Sequence, residues 1–376
     1  MKKSLLVISF SDLATDPRVA RQLDSLNGDY AITTCGFGAP LRPVERHIRV
    51  DATPRPLALK LLAAARLLLR AFDQAYWSHP LVTRALALLE GGRFDAVLAN
   101  EPIALPLALR VARGAPVIFD AHEYSPEELS DSWRWRLLFR RYTRFLCSTY
   151  LPRARACMTV CDSIAQAYER EFGVKMAVID NASPYWELEP RPTTWPIRMI
   201  YHGAAMPVRR LETTIEMMRH VDERFQLDFM LMPDPGGAYL ARLKALAAGN
   251  PRIAFRDPVA PLRIVPESTH YDIGLFLLEP VNFNYEHALP NKIFEFIQAR
   301  LAVAIGPSPE MARLVRRYDC GVVAPSFEPR AMAAALNALT PAEIDRLKAN
   351  AHRAAKVHHA GENAARLRAI ASSVLA

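Results

Sequence analysis

EHALPNKIFEFIQARLAVAI, residues 286–305, decides how the chain is read. A helix over 292–299 has Pro290 in its first turn, where a missing N–H costs nothing, and runs straight into an apolar strand at 302–305. A strand without polar alternation is buried on both faces, which marks a parallel sheet covered by helices. The same alternation repeats on either side of this segment. Strands are expected at 5–10, 31–35, 96–100, 117–120, 157–161 and 177–179, then at 199–201, 227–231, 253–255, 273–277 and 322–323. Helix-length stretches lie between them, including 17–26, 57–76, 133–150 and 209–220. The alternation pauses once, at 181–197, where four prolines read as a stiff connector. The expectation is an α/β chain with domains at 1–180 and 198–350, the linker 181–197 between them, and a C-terminal helix at 351–376 able to pack back on the first domain. Open sheets of this kind take ligands at the carboxyl ends of their strands.

Composition narrows the classes. With 376 residues, 51% of them hydrophobic, the chain buries two cores and is not disordered. The formal charge of +8 calls for an anionic partner. Five cysteines without a CxxC spacing exclude a disulfide framework and a structural zinc site, and fit a reduced, cytoplasmic chain. The apolar run after Met1 ends at Asp12 and reads as a first strand rather than a signal peptide. No apolar stretch reaches the roughly 18–20 residues of a spanning helix; the nearest, 57–72, carries Lys60, Arg66 and Arg70.

Chemistry concentrates in the opening segment. Asn291 and Lys292 stand at the positive end of their helix, where free N–H groups, the helix dipole and an ammonium together suit a diphosphate. Glu295, three residues on, projects from the same face and is placed to accept hydrogen bonds from ribose hydroxyls.

PNKIFEFIQARLAVAIGPSPEM resembles the donor-site helix and following strand of GT-B glycosyltransferases, family 4 in particular. SFSDLATDPRVARQLDSL, DAHEYSPEE and YHGAAMPVRRLETTIEMM resemble three further segments of that family, in order, over residues 4 to 363. The resemblance implies a GT-B fold and sugar transfer from a UDP- or GDP-sugar. It gives Glu295 to the ribose, Arg209 and Lys292 to the leaving diphosphate, and His122 to the reacting centre beside the acceptor hydroxyl. Gly203 would admit the nucleotide to the backbone, Pro258 and Val259 would contact the base, and Asp16, Asp120 and Glu123 would stand on the acceptor side. His287 occupies the place of the family's first glutamate, with Glu286 one position off, so the donor-sugar contacts differ. Arg210 stands where a glycine is usual. No D-x-D occurs, so no metal is expected at the diphosphate, and no other cofactor is called for. A retaining reaction needs no strong base; an inverting one would draw it from Asp12, Asp16, Asp120 or Glu123.

Residues 132–161 contain seven arginines and no acid, interleaved with aromatics. Trp133, Trp135, Arg136, Arg140, Arg141 and Arg144 read as an amphipathic helix docking on anionic lipid at the inner face of the membrane, with 57–76 beside it. No nucleic-acid motif accompanies the patch. The sequence thus points to a peripheral-membrane glycosyltransferase with a lipid-linked or polysaccharide acceptor, in bacterial-type surface glycan synthesis. A GT-B nucleotide-sugar 2-epimerase and a non-catalytic nucleotide-sugar or glycan-binding subunit are the alternatives.

Overall fold

In the computed structural model, which describes residues 2–51 and 56–375, continuously apolar segments have paired into two parallel sheets. The chain divides into two compact units. The first takes in the chain up to Asp180, Asn282–Asn284 and the stretch from Asn363 onward; the second holds Asn181–Val281 and Tyr285–Glu362.

The first unit has seven strands: β1 (Lys3–Asp12), β2 (Tyr30–Phe37), β3 (Arg46–Arg49), β4 (Ala96–Asn100), β5 (Val117–Ala121), β6 (Ala156–Thr159) and β7 (Ala177–Val178). Their order is β3-β2-β1-β4-β5-β6-β7. Register pairs Leu5–Ile8 with both Ile32–Cys35 on one side and Ala96–Ala99 on the other, so β1 is the middle of the core and all of β4 is buried. The chain runs outward from β1 to β3 and then crosses to β4. The switch point therefore falls between β1 and β4, where loops diverge and ligands enter.

The second unit repeats the plan with β8 (Ile197–Ala204), β9 (Phe225–Met232), β10 (Ile253–Arg256), β11 (Ile273–Phe276), β12 (Ala302–Ile305) and β13 (Gly321–Val323), ordered β10-β9-β8-β11-β12-β13. Its switch point lies between β8 and β11. Gly274 on β11 admits the ring of Phe296 into the place a Cβ would take, so the helix Asn291–Gln298 packs directly on the sheet.

The structure departs from expectation at five places. β3 (RHIR) was not anticipated, because one buried residue among three polar ones on an edge strand leaves no apolar run. The stretch 57–76 is two helices, Leu57–Leu68 and Phe72–Trp77, separated by Arg70 at φ 59°. The stretch 133–150 is likewise broken, into Trp133–Leu138 and Arg140–Tyr150. The proline-rich 181–197 is no free connector: Arg300 donates to the carbonyls of Trp186 and Leu188, and Asp272 and Asp345 accept from Thr194 and Thr193. In the C-terminal region, 351–357 completes the helix Pro341–Val357 of the second unit. Leu367 and Ala371 of the helix Ala360–Leu375 join the core of the first.

Candidate active site

At the end of β8 the backbone turns at Gly203 with φ 128°, a conformation side chains rarely adopt. A Cβ there would lie 3.1 Å from Lys292 Nζ and 3.2 Å from an Arg209 guanidinium nitrogen, so bare backbone faces two cations. Arg209 ends a short 3₁₀ turn, Pro207–Arg209, and its Nη1 donates to the carbonyl of Ala204 at 3.1 Å. Arg210 follows in the left-handed region at φ 48°, the position the sequence marked as unusual for a residue with a side chain, and its guanidinium pairs with Glu279.

Lys292 enters from the first turn of the helix Asn291–Gln298, with Pro290 just outside as the N-cap. Its side chain is 6% exposed, yet Nζ has no hydrogen-bond partner among the described residues. It rests 3.9 Å from the ring centre of Phe276 and 4.5 Å from that of Tyr201. Burial, reinforced by Arg209 and opposed by Glu295, drives its pKa well below the usual lysine value. An unpaired buried ammonium is costly; a polyanion is the ligand that would relieve it. Glu295, one turn on, lies 3.5 Å from His202 Nε2. Burial and the two cations push His202 down to about 3, so it is neutral beside that carboxylate. Asn291 and His287 are half-buried, Glu286 and Pro258 are exposed, and Val259 packs partly against the core of this unit.

In the first unit, a cavity of about 660 Å³ opens at the switch point. His122, at the end of β5, donates its backbone N–H to Glu101 Oε1 at 2.7 Å. Glu101 also accepts from Ser125 Oγ at 2.8 Å, and it holds the left-handed backbone at φ 67°. Burial, with Glu123 nearby, raises the Glu101 pKa well above the carboxylate range. Burial and then Glu128 raise Glu123 to about 8, and burial raises Glu128. At neutral pH Glu123 therefore keeps its proton, which makes this end of the cavity a poor home for an anion and a good one for hydroxyls. The opposite wall is apolar: Ala63, Ala64 and Leu67 line it from the helix Leu57–Leu68, together with Leu138, Tyr142 and Leu146.

Two sequence candidates turn out to serve the scaffold. Asp16 caps the helix Pro17–Leu26, accepting from the backbone of Arg18 and Val19 and from Ser11 Oγ. Asp120 is fully buried, with one oxygen accepting from Arg18 Nη2 at 2.6 Å and the other from Arg18 Nε and Gln22. Neither carboxylate is free to act as a base, and Asp12 accepts the backbone N–H of Ala14 in a local turn. Glu101 was missed. Its signal was an acid directly after an apolar strand that ends at the ligand edge.

The arginine-rich face is also revised. Trp135 is buried, Arg140 and Arg144 pair with Glu127, Arg144 also with Glu171, and Arg136 donates to the carbonyl of Ser130. Trp133 and Arg141 remain exposed. The larger apolar surface belongs to the helix Leu57–Leu68, none of whose residues is buried. Leu57 is 71% exposed, Leu61 62% and Leu69, just beyond the helix, 80%. No helix among the described residues is long and apolar enough to cross a membrane.

Residues 18–182 match the model of Glycosyltransferase Family 4. Nearly all of this match lies in the first unit. The expected enzyme class, a glycosyltransferase, is thereby borne out. Solved structures agree in fold across the whole chain. Anabaena HepE in complex with UDP-glucose shares 15% identity at a TM-score of 0.71, covering 99% of this chain and 100% of that one. Sucrose-phosphate synthase from Thermosynechococcus elongatus shares 13% at 0.71, covering 99% of each. The α,α-trehalose 6-phosphate synthase of Burkholderia multivorans shares 10% at 0.66, covering 99% and 98%. No curated protein sequence matches significantly. The GT-B expectation of two Rossmann-like parallel-sheet domains therefore holds.

Proposed function

We propose that the chain transfers a sugar from a nucleoside-diphosphate sugar, UDP- or GDP-linked, to a hydroxyl of a lipid-linked or polysaccharide acceptor in surface glycan synthesis, with retention and without a metal ion. The observation that carries the donor half is the unpaired Lys292 ammonium facing Arg209 across the bare backbone of Gly203. Two cations at one point meet the charge that grows on a leaving diphosphate, and Glu295 stands one turn away for the ribose. Asn291 adds the helix terminus, Pro258 and Val259 the loop beside the base, and Glu286 and His287 the segment toward the sugar. That HepE was solved with UDP-glucose supports a donor of this chemistry.

The acceptor half rests on the cavity of the first unit, with the protonated Glu123 carboxyl and His122 at one end and an apolar wall at the other. That combination suits an amphiphile. In the helix Leu57–Leu68, residues 60, 63, 64 and 67 line the cavity while Leu57, Leu61 and Leu68 face outward. Along 56–72 the chain carries Lys60, Arg66 and Arg70 and no acid. A leucine face rimmed by cations favours peripheral docking on an anionic membrane at its inner, cytoplasmic side, where Trp133 and Arg141 would add to it.

Purified protein incubated with UDP- and GDP-sugars and lipid-linked acceptors tests this directly. Glycolipid formation with the anomeric configuration of the donor supports the reading; donor binding without transfer or hydrolysis, in every pairing, overturns it in favour of a non-catalytic binder.

A further inference from the structure

His122 is held by a chain of buried hydrogen bonds that leaves one arrangement of its ring hydrogen. Arg18 donates from Nε to Asp120 Oδ2 at 2.7 Å and from Nη2 to Oδ1 at 2.6 Å, so the carboxylate only accepts. Gln22 approaches Asp120 Oδ2 at 2.6 Å, which must be its amide nitrogen, because its oxygen there would face a carboxylate. That fixes Gln22. The same nitrogen donates to Asn100 Oδ1 at 2.8 Å, while Asn100 Nδ2 donates to Gln22 Oε1 at 3.2 Å and to the carbonyl of Ile8 at 3.4 Å. Turning the Asn100 amide over would set its oxygen against two carbonyl oxygens, so Asn100 is fixed too. Its Oδ1 lies 2.9 Å from His122 Nε2. An amide oxygen accepts and cannot donate, so Nε2 carries the hydrogen. A neutral imidazole has one N–H, which leaves the lone pair on Nδ1.

The supporting groups are buried, with Gln22 and Asn100 3% and 1% exposed, while His122 itself is half-buried. The ring is surrounded by Asp120, 3.9 Å from Nε2, by Glu101, 3.9 Å from Nδ1, and by Asp16, Arg18 and Arg21. Burial is the main influence on its pKa and lowers it, which keeps the ring neutral at pH 7. His122 lines the cavity, and Nδ1 has no hydrogen-bond partner among the described residues.

We propose that Asn100 and Gln22 are positioning residues that hold His122 as its Nε2–H tautomer, so that Nδ1 accepts a hydrogen bond from the hydroxyl of the incoming acceptor. This rests on the reading of the cavity as the acceptor site. The alternative tautomer would present an N–H to that hydroxyl and turn its oxygen, the attacking atom, into the acceptor of the bond.

Nitrogen-15 NMR of imidazole-labelled protein reads the tautomer without any substrate. The full-length wild type should show a pyridine-like Nδ1 and a pyrrole-like Nε2 for His122. Asn100→Leu should replace the single tautomer with a mixture, since Asp120 beside Nε2 and Glu101 beside Nδ1 then stand equally far, at 3.9 Å. Asn100→Asp keeps an oxygen at the Oδ1 position and should retain the wild-type tautomer. It should also move the acid limb of the pH–rate profile upward, because a carboxylate beside Nε2 favours the protonated ring. For Asn100→Leu, kcat/KM toward the acceptor should fall about tenfold, the worth of one hydrogen bond, with the donor KM unchanged. Gln22→Leu, which leaves Asn100 in place but frees its amide to turn, should give a mixture of tautomers and serves if Asn100→Leu does not fold. A wild-type ring protonated on Nδ1, or an unchanged tautomer in both leucine variants, overturns the proposal. If the wild type turns over no nucleotide-sugar, the transferase reading fails while the NMR result still decides the tautomer.

Discussion

Replacing Lys292 with methionine should make the ligand-free protein more stable and the nucleotide-bound protein less so. The side chain is almost fully buried and Nζ has no hydrogen-bond partner among the described residues. Two ring faces attract the ammonium, by about 2 kcal/mol for a desolvated cation–π contact. Loss of hydration opposes this by several kcal/mol, and Arg209 repels it. The pKa, lowered mainly by burial, shows that the penalty wins. Methionine fills nearly the same volume without charge, so the gain should be about 1–3 kcal/mol, or several degrees in Tm for a domain of this size. The pH dependence follows. Between the depressed folded pKa and the ordinary value of 10.5, the unfolded chain binds the proton that the folded one has lost, so wild-type stability rises with pH across that window. Lys292→Met should lack this rise. With UDP at about a hundred times its Kd, the wild type should gain about 2.7 kcal/mol by mass action. The variant forfeits a charge-assisted contact worth about 1.5–3 kcal/mol, and Kd should rise roughly ten- to a hundredfold. Differential scanning fluorimetry with and without UDP, at pH 7 and 9, gives four curves for each protein. A variant that melts lower without ligand, or that shows the full UDP shift, would refute the view of Lys292 as an unsatisfied cation awaiting a diphosphate.

Glu295→Ala should abolish transfer while Tm moves little, because the residue is half-buried beside a neutral histidine; near-normal turnover in a glycolipid assay counts against the ribose assignment. Gly203→Ala should cost about 1–3 kcal/mol through its left-handed backbone and weaken UDP binding, since a methyl would stand 3.1 Å from the Lys292 ammonium; calorimetry checks both. Leu57→Ser, Leu61→Ser and Leu69→Ser combined should release the protein from anionic liposomes without lowering Tm, whereas reversing Arg140 and Arg144 should destabilise it by stranding Glu127 and Glu171; cosedimentation unaffected by the serines argues against docking. Glu123, raised to about 8, is protonated in the fold and ionised in the unfolded chain between pH 4.5 and 8, so stability should fall as pH rises through that window, and Glu123→Gln should flatten the curve in urea titrations.

What sequence made legible was whatever depends on neighbours in the chain. Every buried strand announced itself as an apolar run, and Lys292 and Glu295 were paired by helical spacing alone. What it hid depends on partners far along the chain. Arg140 looked like a lipid-facing cation until Glu127 was seen beside it, and Asp120 looked like a base until Arg18, 102 residues away, occupied its oxygens. Glu101 carries no motif; its weight comes from meeting His122 across two loops. The leucines of 57–68 could be counted but not placed, since an apolar helix is as readily buried as exposed.

Arg300 gives the proline-rich segment a practical meaning for dissecting the molecule. Prolines accept hydrogen bonds but donate none, so residues 184–196 carry surplus carbonyls, and one buried guanidinium supplies the donors for Trp186 and Leu188 while also binding Gln298. An excised second unit beginning at 198 would leave that guanidinium buried with only part of its acceptor set. One beginning at 181 keeps the strap with the body it closes, and is the boundary at which the second unit should be cut for separate expression.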